Sequence, residues 1–275
     1  MKKRKPLSKL YLILVIIFLY APIFTLMVLS FNGGKSMGKW YGFSGMWYAE
    51  LFQDEEIMSA LFNTVIIALI SAIASTIIGT AISIALPGMN RKVRNTMLAF
   101  NNIPLLNADI VTGLSLMLMF VAFGISLSMG TVIIAHITFC IPYVILNVRP
   151  RVMQFGRTQV EAALDLGATK TQALFKVVLP ELRPAIFSGF LMAFTMSVDD
   201  FIVTHFTRGA GVDTLSTLIY GQSKIGIRPT IYALSTIIFV IVFIVLVIRN
   251  ILIDKGISEE TIVVKKDANE KGGMA

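Results

Sequence analysis

Long apolar runs separated by short polar and basic stretches dominate this chain. A helix crossing a hydrocarbon core ~30 Å thick needs about 20 largely apolar residues. On that criterion the pattern predicts six spanning helices, at residues 10–30, 61–86, 103–123, 129–148, 185–206 and 229–248. The third and fourth come from one stretch, 110–147, that lacks Asp, Glu, Lys and Arg and is too long for a single crossing. Gly124 to Gly130 supply its turn. Ser71, Ser75, Gly79 and Ser83 recur every four residues in the second span, a small-residue face that lets helices approach closely in lipid. The expected fold class is therefore an all-α integral membrane protein. Residues 1–256 form one six-span domain, and 257–275 a polar tail.

The loop at about 149–184 is patterned more carefully than a connector requires. Thr158 and Glu161 have capping-box spacing, as do Thr169 and Gln172. Gly167 lies between them, the residue type that ends helices at no Cβ penalty. Two short helices around Gly167 are expected, the second closed by Leu179-Pro180 because proline cannot continue it. Such a loop suggests a docking element.

Composition supports the membrane reading: 56% of residues are apolar and 15% charged, against roughly 25% charged in soluble domains. Nineteen of the 24 Lys and Arg fall in the N-terminal segment, the loop after span two, the 149–184 loop and the tail. The other five are Lys35, Lys39, Arg208, Lys224 and Arg228. The positive-inside rule then puts both termini and the 149–184 loop in the cytoplasm. The net charge of +8 reflects this topology and does not argue for nucleic acid. Trp40, Tyr41, Trp47 and Tyr48 in the first outer loop read as interfacial anchors. Asp54, Glu55 and Glu56 follow them and could meet a soluble partner. The basic N-terminus and first apolar run read as an uncleaved span, since no small-x-small cleavage site is evident. The lone Cys140 excludes an internal disulfide and reads as a small buried residue.

Asp109, Asp199 and Asp200 lie at membrane depth, where no Lys or Arg sits well inside a span to pair with them. A charge there is costly and usually faces a cavity or a path. Their sign suggests cationic cargo or protons. The Asp199-Asp200 pair is expected in the outer half of span five and Asp109 deeper, toward the cytoplasm. The bland alternatives are a helix cap for Asp109 and a span ending at Val198. His136 reads as hydrogen-bonded packing and His205 as a belt residue. Gly34-Lys35-Ser36 resembles the end of a phosphate loop, but Leu29 stands where that loop needs glycine. No other nucleotide-binding loop, nucleophile–base pair or metal motif emerges, so no catalytic or metal site is expected.

Glu161-Ala162-Ala163, Gly167, Val177 and Leu179-Pro180 resemble the EAA signature of ABC-importer permeases, with Val177 where the motif prefers Ile. Further matches are Asn63-Thr64, Pro104 with Asp109-Ile110-Val111, 197–201, 214–216, Ile219-Tyr220, Arg228-Pro229 and 233–237. These resemble the PotC-type permeases of spermidine/putrescine importers, in the MetI-like binding-protein-dependent family. The resemblance covers nearly the whole chain and is weak in the first outer loop and the tail. It implies a six-span permease subunit in a bacterial cytoplasmic membrane. Its partners would be a second homologous permease, two copies of a cytoplasmic ATPase and an extracytoplasmic polyamine-binding protein. ATP would be used by the ATPase, with no cofactor on this chain. Glu161, Ala162, Ala163, Gly167, Leu179 and Pro180 would form the ATPase-coupling surface. Asp109, Asp199 and Asp200 would line the path, with Phe194, Phe201 and Tyr220 adding cation–π contacts. Two rivals remain open: an importer of another solute, and an ion-coupled carrier, which would not need the docking loop.

Overall fold

The computed structural model describes residues 6–35, 38–154, 157–241 and 243–244, with side chains from residue 10 onward except those of 157 and 158. The tail and the Thr158 half of the first capping box lie outside the described side chains. The chain divides into two compact units, one of residues 1–54 and 226–275, the other of 55–225.

The first unit holds α1 (Pro6–Leu29), α2 (Met46–Gln53) and α12 (Pro229–Ile241). The expected sixth span runs on beyond the described part of α12. Helix α1 buries none of its apolar window within the chain; Phe18 is 80% exposed. The loop after α1 is folded around Asn32, which is 2% exposed. Its Nδ2 donates to Lys39 O at 2.9 Å, and its Oδ1 accepts from Tyr41 N at 2.8 Å. Trp47 corrects the anchor reading: it is buried, and its Nε1 donates to Asn32 O at 2.6 Å. Trp40 and Tyr41 do remain exposed.

The second unit is built on α3 (Glu55–Ala85), α6 (Met129–Gln154) and α9 (Leu179–Asp199), which pack on one another. Helix α3 starts six residues before the expected span because Glu55 and Glu56 suit the positive N-terminal end of a helix. Its Ser71, Ser75, Gly79 and Ser83 stripe is buried within this subunit. Gly79 lies against Val144 of α6, where an added Cβ would come within 2.8 Å of the valine. Cys140 belongs to the core shared with Phe139, Val144, Ala193 and Val203.

Among the described residues, four long apolar helices have the length and composition to cross a membrane: Leu10–Leu29, Glu55–Gly88, Met129–Gln154 and Lys170–Asp199. Span three is not one helix. It is a bent pair, α4 (Arg91–Leu106) and α5 (Asp109–Ala122), meeting at 110°. Asn107 and Ala108 are extended, with ψ of 151° and 140°, which ends one helix and starts the next. Gly124 has φ of +69° and turns the chain toward α6.

Span five is also interrupted. Helix α9 stops at Asp199, Asp200 is extended with ψ of 128°, and α10 (Ile202–Thr207) follows. The break is chemical: Asp200 side-chain oxygens accept from Val203 N at 3.2 Å and Thr204 N at 2.8 Å. A carboxylate that captures the first free N–H groups of a turn starts a new helix there. Helix α11 (Leu215–Ile225) comes next.

In the 149–184 loop, α7 (Arg157–Asp165) ends at Gly167, which has φ of +87°. Gly167 N donates to Leu164 O and Ala168 N to Ala163 O, the paired bonds of a Schellman cap. Helix α8 (Lys170–Ala173) opens with the expected reciprocal Thr169–Gln172 capping box. Leu179-Pro180 does not close this helix. A π turn at Leu174–Val178 carries the chain directly into α9, with Pro180 in the first turn. Pro180 donates no backbone hydrogen bond, and it falls just after the π turn, where the regular i→i−4 ladder is already shifted.

Candidate functional site

The two helix breaks create the site. Ending α4 at Leu106 puts Asp109 in the first turn of α5, and ending α9 at Asp199 opens the backbone beside it. Between them is a cavity of about 310 Å³ lined by Asp109, Asp199, Asp200 and Phe201, with Pro104, Thr112, Phe139, Tyr143, Thr195, Met196, Ile202 and Val203. The three aspartates thus line one cavity.

The neighbouring aspartates differ in environment. Asp199 is exposed, as is Asp109. The Asp200 side chain is only 8% exposed and is tied into α10. Besides the two backbone N–H groups, it accepts from Thr204 Oγ1 at 3.0 Å. His136, 1% exposed, reaches Thr204 Oγ1 through Nε2 at 2.9 Å and Ser197 Oγ through Nδ1 at 2.6 Å. Its Nε2 is 3.5 Å from Asp200 Oδ2. Thr204 has one hydroxyl proton, and Asp200 receives it. The Thr204 oxygen therefore accepts from His136 Nε2–H, and Nδ1 shares a hydrogen bond with Ser197 Oγ. This chain of bonds joins α6, α9 and α10 around one carboxylate.

Phe201 lines the cavity and contacts Tyr220, with ring centroids 4.3 Å apart. His205 is 5.3 Å from Phe201 and 6.2 Å from Tyr220. Phe194 is elsewhere: it stacks on Phe190 at 6.2 Å and packs against the α6–α9 core. Nothing in the hydrophobic pattern singles out Tyr143 or Thr112, which are ordinary residues for their helices. The Asp200–Thr204 spacing of one helical turn is the signal that could have exposed the break.

The motif residues lie apart from this cavity. Glu161 and Ala162 are exposed and Ala163 is half-buried on α7, Gly167 makes the turn, and Leu179 and Pro180 open α9. Leu166 is 90% and Phe175 62% exposed. A second hollow of about 410 Å³, lined in part by Glu161, Leu164, Lys170 and Val178, lies beneath these helices. Arg151 pairs with Glu181, joining the end of α6 to the start of α9.

Residues 77–257 match the family described as binding-protein-dependent transport system inner membrane component. The chain belongs to this family of inner-membrane transport components. Among its relatives, the putrescine transport system permease protein PotI of Escherichia coli (strain K12) is 39% identical over 242 residues, 86% of each chain. The spermidine/putrescine transport system permease protein PotC of Haemophilus influenzae is 34% identical, covering 91% of this chain and 97% of its own. One solved structure, a bacterial ABC transporter involved in the import of the acidic polysaccharide alginate, matches with a TM-score of 0.69 at 16% identity. It covers 92% of this chain and 98% of the other. A chain of the MetNI methionine ABC transporter matches at 0.57 and 22% identity, over 69% and 92%. At these identities the two structures establish the MetI-like permease fold alone, an all-helical fold among the described residues.

Proposed function

We propose that this chain is a transmembrane permease subunit of an ATP-driven importer that moves polyamines, putrescine or spermidine, across a bacterial inner membrane. The observation that carries the reading is a cavity with three carboxylates and three aromatic side chains, in a family member 34–39% identical to putrescine and spermidine/putrescine permeases. A polyamine is a flexible alkyl chain with several ammonium groups. Carboxylates supply charge pairing, and Phe201 with Tyr220 supplies ring faces. A conduit must also release its cargo, and an open cavity lined mostly by uncharged residues holds cations less tightly than a closed acidic cage.

Six crossings are proposed: α1, α3, the bent α4–α5 pair, α6, the Lys170–Asp199 helix and α12. Both termini are cytoplasmic in this topology. The 149–184 loop then faces the cytoplasm, where the exposed Leu166 and Phe175 offer apolar contact to an ATPase subunit. Glu161, Ala162, Ala163 and Gly167 shape that surface, and Leu179-Pro180 passes its movement into α9 without a joint. The partners are a second permease of the same family, two ATPase copies that use the ATP, and an extracytoplasmic polyamine-binding protein.

The test is uptake of radiolabelled putrescine and spermidine by Asp199→Asn and Asp109→Asn cells at matched expression. Removing a charge-assisted contact should lower uptake roughly tenfold or more. Wild-type uptake in both variants would remove these carboxylates from the path.

A further inference from the structure

Tyr220 already carries an ammonium. Lys224 Nζ lies 4.5 Å from the Tyr220 ring centroid. The two residues are one helical turn apart on α11, so they share a face. Tyr220 is 41% exposed and Lys224 is exposed, so the ring is not sealed. The same ring touches Phe201, which lines the carboxylate cavity, and His205 completes the cluster. The position of α11 is fixed at its start: Ser216 Oγ donates to Asp200 O at 2.7 Å, and Leu215 N donates to Thr64 Oγ1 at 2.9 Å. The ammonium-bearing ring is therefore held beside the cavity.

We propose that Phe201, His205 and Tyr220 form an entry subsite for a primary ammonium at the edge of the carboxylate cavity, with Lys224 as its tethered occupant until cargo arrives. This inference rests on the polyamine reading. A lysine side chain is an alkyl stem ending in a primary ammonium, the same group that ends a polyamine. Cargo therefore exchanges with Lys224 like for like, and the subsite never becomes a deep trap. A neutral or anionic solute cannot make that exchange. Once displaced, Lys224 is a positive charge beside the entering cargo, while the nearest favourable charges are the carboxylates of the cavity.

The test uses cells expressing the full transporter. Lys224→Met keeps the stem and removes the charge. Uptake at subsaturating putrescine should rise about two- to fivefold, the weight of one exposed cation–π contact. In a Tyr220→Leu background the same change should have no effect. A structural or diffuse surface-charge role would act equally in both backgrounds and would overturn the proposal. A second readout uses Lys224→Cys with Cys140→Ala. An ammonium-bearing thiol reagent should react several times faster than a neutral one of similar size. Putrescine, or Tyr220→Leu, should erase the preference, and sodium chloride at equal ionic strength should not. A preference that neither putrescine nor Tyr220→Leu changes also overturns the proposal. Failure of the parent reading is distinct: wild-type cells would then take up neither putrescine nor spermidine.

Discussion

Asp200 accepts three hydrogen bonds within α10 and stands at the end of a chain running through Thr204 and His136 to Ser197. Asp199, one residue earlier, is exposed and borders the cavity. The same substitution should therefore separate them. Asp199→Asn should leave the melting temperature of the purified protein unchanged while uptake falls. Asp200→Asn turns an amide N–H₂ toward groups that are already donors, and should destabilise the protein by about 1–3 kcal/mol. Thr204→Val breaks the same link, so the double variant should be less destabilised than the sum of the singles. Thermal melts of the four variants check this. The sequence alone makes both aspartates conspicuous, because uncompensated charge in an apolar run is rare. It does not say which is committed to structure, because that depends on where α9 stops.

Helix existence was legible from the apolar runs, and helix continuity was not. Hydropathy registers whether residues tolerate lipid, so 103–123 reads as one span although Asn107 and Ala108 are extended. Proline misled in the opposite direction at Leu179-Pro180, where a π turn keeps the helix going. Local capping was legible, since Thr169–Gln172 and Gly167 depend only on near neighbours. Gly167→Val forces a β-branched residue to a positive φ and should cost about 1–2 kcal/mol of loop stability. Gly167→Asn tolerates that geometry. Co-purification of the ATPase subunit should fall for the Val variant and hold for the Asn variant; equal retention by both would end the docking reading. Packing between elements was half legible. The α3 stripe announces a close helix contact, but its partner emerges only in the structure as Val144 of α6. Gly79→Ala should push those helices apart at about 1–3 kcal/mol. Adding Val144→Ala should recover much of the loss, measured as detergent-solubilised melting temperature.

At the scale of the whole molecule, the charge pattern and the cavity constrain each other. Nineteen of 24 basic residues lie on the side assigned to the cytoplasm, together with α7 and α8. Helix α9 then runs outward and delivers Asp199 to the far side of its crossing. On that assignment the α10–α11 segment, which holds Tyr220 and Lys224, faces the outside, where the proposed cargo would arrive. A reversed chain would put the ammonium-binding rings in the cytoplasm and the exposed Leu166 and Phe175 outside, away from any ATPase. Orientation is thus the premise of both the path and the docking surface. Cysteine introduced at Ser44 or Gly211 should react with an impermeant thiol reagent in intact cells. Each variant carries Cys140→Ala, a change between small residues at a buried position whose sulfur donates to Ala193 O at 3.5 Å. Both positions suit the experiment: Gly211 is exposed and Ser44 half-buried in described loops. Lys170→Cys, in the first turn of α8, should label only after the membrane is permeabilised. External labelling at Lys170 with silence at Gly211 would invert the topology, and the entry role of Tyr220 and the coupling role of Gly167 would fail together.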